Sequence, residues 1–397
     1  MNKKYFSNRI KNIIKNINNN SLIILHSSLK KVKSEDAYYD FIVNRNFFYF
    51  TNITQENSYL VILKISENEY YKYIFIDEID ESKIKWFGKM LDENDIITNT
   101  CFAKEEIFNN NILESKLKEI ASKYKPNKVY LDFKNNIKTK ELAENLNFND
   151  DKIEDIYSKI IELRAIKDDF EIENIKKAIE ITKLGIDKIK EIKDKVEYEY
   201  EIFNAFNHEI LNHGTHEIGF DSIIASGINS CCLHYPTPYS KLEKNSILLC
   251  DVGARYNNYS ADITRTLVVG DKFNDLQSTI YNIVLECNKY IINNVKQGIN
   301  IKYLQNLTVD FFSNKCLKEG LIKNKDELKN YYFHNVSHHL GIDTHDPISR
   351  DKYLQPGNVI TVEPGLYFEN HKIGVRIEDN ILVTENGHIN LSENIKK

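Results

Sequence analysis

The chain has 397 residues, and its 53 lysines and arginines against 58 aspartates and glutamates leave a net charge of −5. Single cores stop growing near ~250–300 residues, so two domains are expected, and the mildly acidic balance, with lysines interspersed among acids, excludes a basic footprint for nucleic acid or an anionic membrane. Six cysteines (Cys101, Cys231, Cys232, Cys250, Cys287, Cys316) lack the spacing of a disulfide framework or a zinc site, and with no signal-type h-region and no run near the ~18 apolar residues of a membrane span, a cytoplasmic protein is expected.

In chain order, β-rich runs at 21–26, 58–64, 70–76 and 128–132 alternate with polar helical stretches such as 114–124, the pattern of a mixed α/β layer. Between the first two runs lies the aromatic cluster Phe47, Phe48, Tyr49 and Phe50, read as core or interface. The pattern turns charged over 151–169, and a domain boundary is expected near Ile156, giving domains 1–155 and 156–397. A helix over 170–193 opens the second domain, with Ile172, Ile175, Ile179, Leu184, Ile186 and Ile189 as its apolar stripe.

The last third concentrates the chemistry. Residues 247–256 and 259–269 read as a hairpin, with Asn257 and Asn258 as a two-residue turn that tolerates positive φ. That register sets Asp251 opposite Thr264 and puts Asp262 diagonally from Asp251 on the same face, roughly 7–8 Å away. Inward carboxylates repel and are costly unless paired with a cation. A pair of divalent ions, typically about 3.5–4 Å apart, resolves the conflict. Solvated hairpin aspartates are the alternative, but the apolar run Ile247-Leu248-Leu249-Cys250 before Asp251 favours a buried strand.

Glu363 ends a strand over 359–362 that Pro364-Gly365 stops. Glu378 belongs to an apolar strand over 374–383, in which Arg376 and Glu378 alternate onto one face. In the segment 331–346, His334 and His338 are four apart and share a face as strand or as helix, while Gly341 permits a turn that brings His345 back. His339, His371 and His388 are read as ordinary core or turn residues. Four oxygen donors and one imidazole favour a hard or borderline divalent ion, and spacing alone does not separate Mn²⁺ from Co²⁺ or Zn²⁺.

Five strings, in order, carry a resemblance: Cys250-Asp251-Val252-Gly253, Ala261-Asp262-Ile263-Thr264-Arg265-Thr266, His334 with Ser337-His338-His339-Leu340-Gly341, Thr361-Val362-Glu363-Pro364-Gly365-Leu366-Tyr367, and Val375-Arg376-Ile377-Glu378-Asp379. They resemble the aminopeptidase P and prolidase branch of the pita-bread metallopeptidases. Residues 40–63, with Asn46-Phe47-Phe48-Tyr49-Phe50-Thr51-Asn52, are similar to the amino-terminal domain of those enzymes. The resemblance implies an α/β chain: an amino-terminal mixed α/β creatinase-like domain followed by a carboxy-terminal α+β pita-bread catalytic domain.

It also implies that Asp251, Asp262, His338, Glu363 and Glu378 hold two divalent ions, manganese in the first place. Asp262 and Glu378 would bridge them, with Asp251 on one ion and His338 with Glu363 on the other. By the same resemblance His234 belongs to the substrate pocket, and His345 and His334 bind substrate and stabilise the tetrahedral intermediate. Arg376 organises the bridging carboxylates, and Glu363 relays a proton to the leaving nitrogen. The implied activity is release of the amino-terminal residue from Xaa-Pro peptides by a homo-oligomer, with a dimer favoured, in which the amino-terminal domain shapes the far end of the groove.

The histidine string is more similar to aminopeptidase P, because prolidases usually carry glycine on both sides of the metal histidine. Asn335 departs from the glycine that most relatives carry there. The rival readings are an Xaa-Pro dipeptidase and a non-catalytic peptide-binding module of the same fold; the usable side chains at all five ligand positions speak against the second.

Overall fold

The computed structural model describes residues 3–133, 137–146, 148, 150–215, 217–349 and 351–397. The chain forms two compact units, Met1–Arg164 and Ala165–Lys397. The boundary expected near Ile156 falls at the start of the helix Tyr157–Ala165, and the units divide at its end. Among the described residues no helix is long and apolar enough to cross a membrane.

The first unit contains β1 (Ser21–His26), β2 (Val32–Ser34), β3 (Ala37–Tyr38), β4 (Tyr59–Lys64), β5 (Tyr70–Ile76), β6 (Ile107–Asn109), β7 (Lys128–Leu131) and β8 (Ile153–Asp155). Six of them form one sheet in the order β6-β5-β4-β1-β7-β8, while β2 and β3 make a separate exposed hairpin. β1 lies antiparallel to β4 and parallel to β7. It is buried at every position, which requires cover on both faces and explains its unbroken apolar sequence. On one face Leu22, Ile24, Val61 and Val129 meet Leu117 and Ile120 of the helix Leu113–Tyr124. The aromatic cluster lies in the helix Arg45–Thr51, where Phe47, Phe48, Tyr49 and Phe50 are all buried. Asn44 caps this helix by accepting from the Phe47 N–H, and Asn52 closes it at φ 59°.

The second unit contains β9 (Ile223–Ser226), β10 (Ile247–Val252), β11 (Arg255–Tyr256), β12 (Tyr259–Ser260), β13 (Ile263–Val268), β14 (Val359–Val362), β15 (Gly365–Phe368), β16 (Ile373–Arg376), β17 (Asp379–Thr384) and β18 (Gly387–Asn390). Their antiparallel ladders run β13-β10-β9, β11-β12, β14-β17-β18 and β15-β16. The helices Asp275–Asn294 and Ile301–Lys318 cover part of this surface, packing Ile283, Val284, Cys287 and Phe312 with Ile360, Val362, Ile381 and Val383.

The helix Asp169–Ile192 opens on a reciprocal cap between Asp168 and Glu171. Ile175, Ile179, Ile186 and Ile189 are buried as expected, but Leu184 is 38% exposed. The stripe instead runs through Thr182 and Gly185, both buried. A Cβ on Gly185 would lie 2.5 Å from the Phe206 ring, so the helix Glu199–Leu211 crosses at that residue.

Three local expectations change in the structure. Asn257 and Asn258 turn with φ 46° and 67°, and Asp251 pairs with Thr264, but the hairpin is two short ladders. At Gly253 a Cβ would lie 2.0 Å from the Ala261 carbonyl oxygen, and this crowding ends β10. The expected strand 374–383 likewise parts into β16 and β17, because Ile377 N–H bonds Pro364 O at 3.3 Å and Glu378 N–H bonds Thr264 O at 3.1 Å instead of continuing one ladder. The histidine segment is neither helix nor regular strand. It runs extended beside β14, tied by Glu363 N–H to Val336 O, Thr361 N–H to His338 O and Leu340 N–H to Val359 O, each at 2.9 Å.

Candidate metal centre

These breaks bring the acids together. Asp251 comes from β10, Asp262 from the gap before β13, Glu363 from the end of β14 and Glu378 from the step between β16 and β17, while the extended segment beside β14 brings His338. All five line one cavity of about 800 Å³ in the second unit, with His234, His334, His345 and Arg376. The nine candidate site residues are therefore all on its wall.

Three overlapping sets have donor atoms within 4.8 Å of one another: Asp251, Asp262 and Glu378; His338, Glu363 and Glu378; and Asp262, His338 and His345. His338 Nε2 lies 3.3 Å from Asp262 and 3.5 Å from Glu363. Its Nδ1 donates to the His339 carbonyl at 3.0 Å, which turns Nε2 toward the carboxylates. The carboxylates are themselves held. Thr264 Oγ1 donates to Glu378 at 2.7 Å, and Asn380 brackets the Asp262 backbone through both its amide groups.

Arg376 is the hub of a buried network. Its Nη2 donates to Asp251 at 2.5 Å, its Nε to Thr264 Oγ1 at 3.1 Å and its Nη1 to the Tyr367 hydroxyl at 2.9 Å. The Tyr367 hydroxyl, accepting from Arg376, donates to His334 Nε2 at 3.0 Å, while His334 Nδ1 donates to the Asn335 carbonyl at 2.9 Å. Burial, then the Arg376 charge, holds His334 down to about 4, so it is neutral at physiological pH. Sequence reasoning gave Thr264 and Tyr367 no such part. Thr264 carried a signal as the residue opposite Asp251; Tyr367 stands in the string that holds Glu363, but its bond to Arg376 is made only through tertiary packing. His339 is buried as expected, but it lines the same cavity and, among the described residues, neither ring nitrogen has a hydrogen-bond partner, so it is not an ordinary core histidine.

The electrostatics ask for cations. Desolvation inside the cavity raises the proton affinities of Asp262, Glu363 and Glu378 above the usual carboxylate range, and their mutual repulsion adds to it. Burial opposes protonation of His338, but its bond to Asp262 and the Glu363 charge outweigh that and push it up to about 9. Asp251 Oδ1 is buried with no hydrogen-bond partner among the described residues. Oxygen donors with one imidazole, one orphaned oxygen and too much negative charge fit divalent ions.

A pH dependence follows. Metal binding needs ionised carboxylates and an uncharged imidazole, and without metal this cluster carries extra protons up to about pH 9, the His338 value. Loading at neutral pH therefore expels protons, and affinity rises with pH. Calorimetric titration of stripped protein in buffers of different ionisation enthalpy is expected to read net proton release. Proton-neutral binding with equal affinity at about pH 6 and pH 8 would contradict this electrostatic account.

Comparisons with known proteins give the family and the fold. The model of metallopeptidase family M24 matches residues 173–385, and that of the aminopeptidase P amino-terminal domain matches residues 6–130. A Xaa-Pro aminopeptidase of Haemophilus influenzae is 30% identical over 100% of this chain and 95% of its own length. One of Escherichia coli is 29% identical over 99% and 95%. Among solved structures, a histidine-to-alanine variant of Escherichia coli aminopeptidase P superimposes with a TM-score of 0.94 at 26% identity, covering 100% of this chain and 96% of that one. A zinc-substituted form of the same enzyme with product gives 0.92 at 26% identity with the same coverage. The fold is thus that of aminopeptidase P, an amino-terminal mixed α/β domain followed by an α+β catalytic domain, and the chain belongs to metallopeptidase family M24.

Proposed function

We propose that this metallopeptidase is a Xaa-Pro aminopeptidase, releasing the first residue of peptides with proline in second position. The observation that carries the proposal is the meeting of Asp251, Asp262, His338, Glu363 and Glu378 in one cavity beside four further histidines, His234, His334, His339 and His345. End-to-end similarity to Xaa-Pro aminopeptidases supports the substrate class.

In this reading Asp251, Asp262, His338, Glu363 and Glu378 would together hold two divalent ions. When bound, such ions supply an acidified water at neutral pH and polarise the scissile carbonyl. The chain's own residues do the rest. Glu363, on the cavity wall, takes the proton that the attacking water gives up and delivers it to the leaving nitrogen. His345, on the cavity wall with its ring 4.3 Å from that of His338, meets the carbonyl oxygen as charge develops on it. His334 contributes as a neutral wall fixed by Tyr367 and Asn335, and His234 lines the same pocket. An Xaa-Pro bond offers no N–H, so recognition of the proline ring relies on shape.

We take manganese as the working ion, a homo-oligomer with a dimer first, and the cytoplasm as the location; six cysteines without disulfides fit a reducing compartment. We likewise take 1–155 and 156–397 as the functional partition.

The test is to strip the protein with chelator, reload it with manganese, and assay X-Pro-Y, X-Pro and X-Ala-Y peptides side by side. Release of the first residue from X-Pro-Y is expected. No release from X-Pro-Y refutes the proposal, and cleavage confined to X-Pro would make the chain a dipeptidase instead.

A further inference from the structure

His345 presents a mechanical problem. It is an exposed side chain, yet one of its ring nitrogens lies within 4.8 Å of the donor atoms of Asp262 and His338. Its ring stands 4.3 Å from that of His338, and the direction from which it reaches that place is set by the backbone of residues 341–346, which form no regular ladder. Local bonds close that loop: Gly341 N–H to Asp343 O at 3.0 Å, Asp346 N–H to His339 O at 2.9 Å and Asp343 N–H to Asp346 Oδ1 at 3.3 Å.

Ties also come from outside the loop: Ser260 N–H bonds Gly341 O at 3.0 Å, Thr344 Oγ1 donates to Gly219 O at 3.1 Å, and a buried ion pair holds Asp346, the residue after His345. Lys167 Nζ lies 2.8 Å from Asp346 Oδ2, with the two side chains 0% and 1% exposed. The pair runs directly under the start of the loop. A Cβ on Gly341 would lie 2.5 Å from Asp346 Oδ2 and 2.9 Å from Lys167 Cε, so glycine is needed there for close approach. Lys167 itself stands on tied backbone: its N–H bonds Gly357 O at 2.9 Å, and Asn358 Nδ2 bonds the Ala165 carbonyl at 2.8 Å. A fully buried ion pair is a poor way to gain stability, since apolar residues of similar volume often serve as well or better, and its best-attested use is to fix register.

We propose that Lys167 is a positioning residue for catalysis: through Asp346 it fixes the end of the loop 341–346 and so helps to hold His345 beside Asp262 and His338. The inference rests on the Xaa-Pro aminopeptidase reading for its activity assay but not for its structural readout.

The experiment is a double-mutant cycle of Lys167→Met and His345→Ala, with metal content measured for each protein. Lys167→Met is expected to lower kcat/KM by about tenfold to thirtyfold, the scale of a sub-ångström misplacement, with metal content unchanged. In the His345→Ala background it is expected to cost less than about threefold more, because its effect passes through His345. Fully multiplicative losses, or wild-type kcat/KM for Lys167→Met, overturn the proposal.

The second readout uses metal-free protein with ¹³C-labelled histidine, the His345 ring signal being assigned by its loss in His345→Ala. Lys167→Met is expected to broaden or split that signal while the fold persists; an unchanged signal overturns the proposal whatever the activity. Should Lys167→Met fail to fold, Lys167→Met with Asp346→Leu fills the site with apolar side chains and takes its place in both measurements. A wild-type His345 signal and wild-type kcat/KM in that double variant also overturn it. An inactive wild-type enzyme, by contrast, refutes the aminopeptidase reading and leaves the ring signal to decide this one.

Discussion

Replacing Glu378 by glutamine is expected to lower kcat/KM by at least about 10³-fold and to leave the protein short of metal after dialysis. Glu378 belongs to two of the three donor sets, so its charge serves the whole cluster rather than one corner. Glutamine keeps the shape and the bond from Thr264, which reaches Glu378 Oε2 at 2.7 Å. What it removes is one negative charge, and what it adds is an N–H turned toward carboxylates. The ions contribute several kcal/mol of transition-state stabilisation, and each ~1.4 kcal/mol is a factor of ten. Because the exchange is close to isosteric, circular dichroism should be unchanged, which separates loss of metal from loss of fold. Full metal content with wild-type turnover would remove Glu378 from the centre.

Arg376→Met is expected to cost about 3–5 kcal/mol of stability in the metal-free protein, because it breaks a buried ion pair and leaves Asp251 without its partner. It should also weaken metal binding by about 10–100-fold, the usual scale for a residue that orients ligands. The reason is convergence: one guanidinium reaches Asp251, Thr264 and Tyr367, and so governs a carboxylate, the donor to Glu378 and the donor to His334. Arg376→Lys should recover little, since a lysine cannot reproduce a planar fork with three separate targets. Denaturant titration with and without manganese checks both parts. Unchanged stability and affinity in Arg376→Met would mean the network is incidental.

Legibility in the sequence followed the range of each interaction. Asp251, Asp262, Glu363 and Glu378 stood out because a charge beside a β-rich run has no cheap local explanation, and the Asn257-Asn258 turn set the register that pairs Asp251 with Thr264. β1, β4, β5 and β7 were visible as apolar runs bounded by polar segments. What stayed hidden was made by contacts distant in sequence. The end of β10 depends on Ala261 approaching Gly253, and the step that exposes Glu378 depends on bonds to Pro364 and Thr264. Leu184 fits an apolar count but faces away from Phe206, whose approach at Gly185 defines the buried side of that helix. Lys167 and Asp346 lie 179 residues apart, and nothing local marks either as half of a pair.

The extended segment beside β14 has a consequence for motion. Glu363 N–H is tied to Val336 and Thr361 N–H to His338, so an imidazole and a carboxylate of the cavity hang on adjoining rungs of one seam. Fluctuations that unzip those rungs displace both side chains together. The cavity would then loosen in a single step, with no intermediate in which one of the two has swung away and the other still stands.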